Sequence, residues 1–355
     1  MKIKNSIIAL FVCVGLASGI VGADQSKKKK QKGETPVPVT AVQASVAPMV
    51  DGDASDAVWK AAPVLNFKTV EGGVNEDQGT EGTLQVAYSG DMLYMLLTYA
   101  DPTLSVRRSP FAKQADGSWK KLKDPDDKGG DNNLYYEDKV GIIWNINDSI
   151  AGFNSTYGCQ IACHTGEKGK PYGNKYTEEE GELGDMWHLK AVRTVLPLGL
   201  ADDQYLDHTR YDPEKAKGAG RHSDKKTGGG YTNIELVNGK PEFMNKDGKA
   251  ANKGGTYWLK TEDKVPFDDS KFVTGDEVAS ILVSPATGDR GDIQSVAQWA
   301  EGKWTIEMAR KLVTNSETDV NFSDLSKTYG FGLAIFENAQ VRHSFVKAPL
   351  ILSFK

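Results

Sequence analysis

From Val50 onward the chain alternates short apolar runs with polar, glycine-rich stretches, the pattern of strands joined by turns. Val50-Asp51-Gly52-Asp53 and Ala57-Val58-Trp59-Lys60-Ala61-Ala62 open the folded part. Thr83–Tyr88 and Met92–Tyr99 flank a Ser-Gly-Asp turn, which predicts a hairpin of two buried strands. Lys139–Ile146, with Val140, Ile142, Ile143 and Trp144, predicts the next strand, and Met186–Val192 alternates like another. The last third reads as Val278–Val283, Ile293–Trp299, a Glu301-Gly302 turn, Lys303–Arg310, Tyr329–Phe336 and His343–Phe354. With no amphipathic helix of useful length and no internal repeat, these runs predict an all-β fold, a β-sandwich. Two polar segments, 101–138 and 199–255, have almost no apolar period and are expected to be long loops that pack against a bound group.

The N-terminus changes the picture of where the chain works. Lys2 and Lys4 precede an apolar run from Ile7 to Val21, and Val21-Gly22-Ala23 supplies the small residues of a cleavage site. Residues 1–23 are therefore expected to be a signal peptide, and the protein to be periplasmic or otherwise exported. The run is short for a membrane span, so the chain is not expected to be an integral membrane protein. Residues 24–45 hold Lys27-Lys28-Lys29-Lys30 and then Pro36 and Pro38, which reads as a basic, proline-containing linker before a domain over 46–355. The net charge is −5, and it becomes −10 once residues 1–45, which carry +5, are set aside. So acidic a body excludes nucleic acid as partner and suits transient electrostatic contacts with redox proteins.

Cysteine usage narrows the chemistry. Cys13 lies inside the leader, which leaves Cys159 and Cys163, with His164 directly after them in Gly158-Cys159-Gln160-Ile161-Ala162-Cys163-His164. Exported proteins that use cysteine for stability usually carry several pairs, so one pair beside a histidine points to chemistry. Two thiols near an imidazole are how a chain holds haem c: the thiols add to the vinyl groups, and the imidazole reaches the iron. The usual motif has two residues between the cysteines and this one has three, a difference a bulging loop can absorb. A local disulfide and half of a zinc site are the other readings of the pair. Among the remaining histidines, His208 and His222 lie among charged residues and read as solvated, as do Asp202, Asp203 and Glu178-Glu179-Glu180. Trp187, Trp299 and Trp304 read as sandwich core, with a cofactor pocket as the alternative.

Several phrases together carry a resemblance. Asp51-Gly52 with Trp59-Lys60-Ala61-Ala62 and the Tyr88–Tyr99 hairpin resemble the start of sandwiches like carbohydrate-binding-module family 9. Asp185-Met186-Trp187-His188-Leu189-Lys190-Ala191, Gly291-Asp292-Ile293, Gly302-Lys303-Trp304 and Ala334-Ile335-Phe336-Glu337-Asn338 resemble the ethylbenzene-dehydrogenase-related haem-binding domain. The resemblance spans roughly residues 46–355. It implies kinship with haem subunits of molybdenum enzymes, where a methionine and a lysine hold a b-type haem. Here the region of that methionine contains Cys159, Cys163 and His164, which implies the c-type branch, and no lysine is assigned to the second position. The resemblance places the second iron ligand in the C-terminal part, where His343 stands, with His188 as the runner-up and Met186 or an open position behind it. The resulting expectation is one haem c, with Cys159 and Cys163 as covalent attachment points, His164 proximal and His343 distal. Such a chain would be an electron carrier, alone or as the haem subunit of a larger oxidoreductase, with other cytochromes or a molybdenum enzyme as partners. The competing readings are a carbohydrate-binding module without haem and a haem enzyme with an open iron position.

Overall fold

The computed structural model describes residues 33–70, 79–126, 134–163 and 175–355. Among them the apolar runs become thirteen strands of one sheet. These are β1 (Val37–Gln43), β2 (Leu65–Lys68), β3 (Glu81–Ser89), β4 (Met92–Ala100), β5 (Lys139–Asn145), β6 (Gly184–Lys190), β7 (Asp202–Leu206), β8 (Arg221–Ser223), β9 (Gln294–Ala300), β10 (Lys303–Lys311), β11 (Tyr329–Phe336), β12 (Ser344–Phe345) and β13 (Leu350–Phe354). Their order is β8-β7-β6-β5-β11-β13-β1-β3-β4-β10-β9, with β2 added on β3 and β12 on β11. Gly90 turns the β3–β4 hairpin at φ +58°, a left-handed position that costs glycine nothing.

Alternation along the strands sorts their side chains to two faces. Val140, Ile142 and Trp144 of β5, Trp187 and Leu189 of β6, and Leu333 of β11 join Leu84, Val86, Met95, Leu97, Ile306 and Met308 from the other half of the sheet in one buried cluster. The sheet thus folds over itself as a β-sandwich. Its two ends approach each other where Ala201 N donates to Ile293 O (3.0 Å) and Ser295 N to Gly199 O (2.8 Å). On the opposite face, Ile143, Met186, Ala334 and Phe336 belong to a second cluster with Phe153 and Cys159. That outer face positions the candidate site.

The opening motif is tied to the sheet by Glu307 of β10. Its buried carboxylate accepts Trp59 Nε1 (2.7 Å) and the N–H groups of Asp51 and Gly52 (2.9 Å each). Trp187 and Trp304 are core residues, and Trp299 is half-buried.

Two segments differ from the sequence reading. Residues 37–43, placed there in a linker, form β1, which lies parallel to both β13 and β3. Pro36 and Pro38 do keep the segment extended, but Val39 and Ala41 point into the core, so the extended chain is a sheet member. The polar segments 101–138 and 199–255 also build structure of their own. Phe111, Trp119, Ile234, Met244, Leu259 and Phe272 make a separate small core. Its strands, such as Phe111–Lys113 and Trp119–Lys121, are too short to show a period, and the apolar residues come from distant stretches. Among the described residues no helix is long and apolar enough to cross a membrane.

One buried pair makes stability depend on pH. Burial, and then Asp101 beside it, push the carboxyl of Asp138 up to about 8, while burial raises Asp101 to about 6. Asp138 accepts Ser105 N (2.8 Å) and Asn338 N (2.9 Å). A carboxyl raised in the folded state stabilises fully below its unfolded pKa, and the contribution is lost as pH rises through the folded value. Urea midpoints are therefore expected to fall as pH rises from about 4 to about 8, and Asp138→Asn to flatten that slope. A wild-type midpoint that rises over this window would contradict the assignment.

Candidate functional site

The site begins where β5 ends. Asn145 Oδ1 accepts Ile150 N (2.9 Å) and its Nδ2 donates to Asn154 Oδ1 (3.1 Å), which folds the following loop back on the strand. A π-turn over Phe153–Tyr157 leads to Gly158, whose φ of +55° and ψ of −144° suit only glycine. Cys159 follows, buried, and a helical turn spans Gln160–Cys163. Gln160 Nε2 donates to Lys347 O (3.1 Å), which ties this turn to the C-terminal segment.

Glycines on the outer face make room for the loop. A Cβ at Gly332 of β11 would lie 2.6 Å from Cys159 Cβ, so glycine there is what lets the cysteine settle on the sheet. Gly332 stands opposite Ile143, and Ala334 opposite Gly141, so the floor across β11 and β5 is low. Over it lies a small apolar cavity lined by Gly141, Cys159, Met186, His188, Phe336 and His343.

Both histidines present a defined ring nitrogen. His188 is buried on β6; its Nδ1 pairs with Gln204 Oε1 (3.1 Å), and Nε2 is buried without a hydrogen-bond partner. An N–H on Nδ1 leaves the lone pair on Nε2, and burial, then Lys190 and Lys139, hold the ring well below the usual histidine pKa and so neutral. His343 donates from Nδ1 to Val341 O (2.9 Å), which orients its ring. Phe336 touches both rings, with centroids 5.7 Å from His188 and 4.5 Å from His343.

His188 and Lys175 also line a second, polar cavity of about 270 Å³. Its walls carry Arg108, Lys139, Lys190, Arg193, Lys217 and Arg221. Lys190 is paired with Asp202, and Arg193 Nε with Glu137 Oε1 (2.5 Å). Lys139 contacts groups of another kind: Nζ donates to Gln340 O (2.9 Å) and stands 4.1 Å from the Phe336 ring centre. Burial, then Arg193 and Lys175, push its pKa well below the usual lysine value. Lys139 and Lys190 are direct cross-strand partners, a like-charge juxtaposition that an arriving anion would relieve. The apolar lining and the basic lining share His188 and Lys175, and thiol with imidazole is the donor set that could hold a haem covalently.

The structure thus brings Cys159, Met186, His188 and His343 to one cavity. Cys163 is placed by its backbone in the turn beside it, and His164 lies outside the described residues. His208 is exposed as expected, whereas His222 is half-buried, stacked on Tyr205 and 3.1 Å from Asp207. Asp202 and Asp203, read as solvated, are buried. Sequence reasoning missed Lys139, Gln204 and the basic chamber. The signal available was Lys139 and Lys190 on otherwise apolar strands, each at an outward-facing position.

Comparison with known proteins follows the same lines. Three solved structures align over 90% of this chain. A carbohydrate-binding module family 9 protein from Caldicellulosiruptor kristjanssonii in complex with cellotriose matches at 10% identity, TM-score 0.34 and 95% of its own length. The same module in complex with glucose matches at 10% identity, TM-score 0.32 and 96%. A putative carbohydrate-binding protein from Bacteroides uniformis matches at 8% identity, TM-score 0.38 and 99%. Comparison with curated proteins gives no match. A family profile described as ethylbenzene dehydrogenase matches residues 56–348, most of the folded chain and the whole of the candidate site. The chain therefore belongs to the ethylbenzene dehydrogenase family.

Proposed function

We propose that the protein is an exported monohaem c-type cytochrome that carries electrons to or from partner redox proteins. The observation behind this reading is the convergence of Cys159, His188 and His343 on one apolar cavity that shares His188 and Lys175 with a basic one. Cys159 and Cys163 would hold the haem covalently, His164 would ligate its iron from the motif side, and His343 from the loop after β11. The floor of Gly141, Gly332 and Ala334 would take the macrocycle, and Lys139 with Arg221 its carboxylates. The chemistry a haem supplies in such a site is reversible one-electron transfer at its iron.

The chain's own residues set the conditions for that transfer. Val341 O orients His343, Gln204 holds His188 at the junction of the two cavities, and the Trp144–Trp187 pair behind the sheet excludes water from the rear. Two imidazoles would leave no iron position for a substrate, which favours a carrier over a catalyst. Export with removal of residues 1–23 would place the protein in the periplasm, and its acidic body suits transient docking to other cytochromes or to a molybdenum oxidoreductase. A carbohydrate-binding role rests on accessible aromatic rings, and of the seven tryptophans only Trp258 and Trp299 are partly exposed.

The direct test is extraction. Haem is expected to stay with the wild-type chain through acid–acetone denaturation, because thioether bonds do not depend on folding. The double variant Cys159→Ala/Cys163→Ala should release any haem it holds. Complete extraction from the wild type, or absence of a redox-active visible spectrum from the exported protein, would overturn the proposal.

A further inference from the structure

On the inner side of β6 and β7 lies a group of carboxylates that the haem reading does not use. Asp185, Asp203, Asp224 and Asp319 are all buried, and Asp292 joins them from the turn before β9. They come from five separate segments and surround one cation, Arg310, which is itself fully buried. Arg310 spends two of its nitrogens elsewhere, Nη1 on Asp185 Oδ2 (2.8 Å) and Nη2 on Val320 O, and its Nε is buried without a hydrogen-bond partner.

The remaining oxygens point to a ligand. Asp185 Oδ2 also accepts Val320 N (2.9 Å) and Trp187 Nε1 (3.1 Å), but its Oδ1 has no hydrogen-bond partner. Asp203 Oδ2, Asp224 Oδ2 and Asp292 Oδ1 are in the same condition. Asp319, 1% exposed, has no hydrogen-bond partner on either oxygen, and Arg310 Nη1 stands 3.8 Å away. Buried carboxylate oxygens left this way are costly unless a proton or a cation meets them.

We propose that Asp203, Asp224 and Asp319 bind a calcium ion, with water completing its coordination. One ligand atom from each of the first three lies within 4.8 Å of the others. Calcium takes six to eight oxygens at about 2.3–2.6 Å, so ligands across the ion stand roughly 4.6–5.2 Å apart. Magnesium demands near-ideal octahedral geometry and keeps several of its waters, so a buried cage of several carboxylates suits calcium better.

The location gives the ion a consequence. Asp185 precedes Met186, and Asp203 precedes Gln204, the partner of His188, so the ion would brace the strands whose other faces line the apolar cavity. It would also fasten the 312–328 segment, where Thr318 Oγ1 donates to Asp224 Oδ1 (2.5 Å). The inference does not depend on the haem reading.

The test uses the full exported chain purified without chelator. Elemental analysis should find about one calcium per chain, and EGTA should lower the melting temperature by on the order of 5 °C. Added CaCl2 should restore it and equimolar MgCl2 should not. Asp319→Asn, which keeps the side-chain shape, should give the same far-UV circular dichroism yet lose the response to CaCl2. A melt indifferent to both EGTA and CaCl2, equal restoration by MgCl2, or an undiminished calcium response in Asp319→Asn would overturn the proposal.

Discussion

Replacement of His343 by alanine is expected to turn a low-spin haem spectrum into a high-spin one and to admit carbon monoxide, whereas His188→Ala should leave the iron low-spin. Both imidazoles line the cavity, and they differ in what holds them. His343 lies beyond the end of β11 with its Nδ1–H on Val341 O, so on the proposed reading Nε2 would be the ligating nitrogen. His188 is locked in β6 between Gln204 and Phe336 and faces both the apolar cavity and the basic chamber. That position suits a group that touches the rim of a bound macrocycle. Its loss should cost stability, about 1–3 kcal/mol for a buried side chain with one hydrogen-bonded partner left behind. The measurements are visible spectra with and without carbon monoxide, alongside denaturant unfolding of each variant. Carbon monoxide binding by His188→Ala and not by His343→Ala would reverse the assignment. A wild type that is already high-spin would replace the carrier reading with a catalytic one.

The largest loss of stability is expected from Arg310→Met. The side chain is fully buried, stacks 4.8 Å from the Trp187 ring centre, and donates to Asp185 Oδ2 at 2.8 Å. Methionine fills much of the same space, so the change removes the charge with little change in packing. A buried ion pair broken from one side leaves an uncompensated charge and costs about 3–5 kcal/mol. Arg310 also holds Val320 O, so the 312–328 segment should become the first region to open, visible as faster amide exchange there than in β3 and β4. Urea unfolding measures the total. A loss below about 1 kcal/mol would show that the arginine is not what balances these carboxylates.

The two predictions address opposite faces of the same strands. β6 carries Asp185 and Trp187 toward the core and Met186 and His188 toward the cavity, so a change on one face is transmitted by a strand that can neither slide nor twist independently. Comparison of the two variants separates damage to the site from damage to its support. His343→Ala is expected to alter the spectrum of a stable protein, and Arg310→Met to lower stability before it alters any spectrum.

Much of the architecture was legible in the residues because alternation is a local property. The β3–β4 hairpin, β5, β6 and the run from β9 to β11 lie close to where their apolar period places them, since each strand buries one face whatever its neighbours are. The Cys159–His164 spacing, and the phrases that resemble the family, are likewise local. What local pattern could not decide is which strand meets which. β1 looks like a linker until β13 and β3 close on it from distant parts of the chain. Asp202 looks like surface until Lys190 and Arg290 supply the charges that permit its burial, and Asp203 until the β6–β7 register sets it opposite Trp187 on the inner face. The basic chamber exists only because Lys139 and Lys190 are set side by side by the β5–β6 register, and Arg108 and Arg221 arrive from segments far apart in the chain. Residues and their spacing determine periodicity and reactive groups, and tertiary structure alone determines which buried charges find a partner.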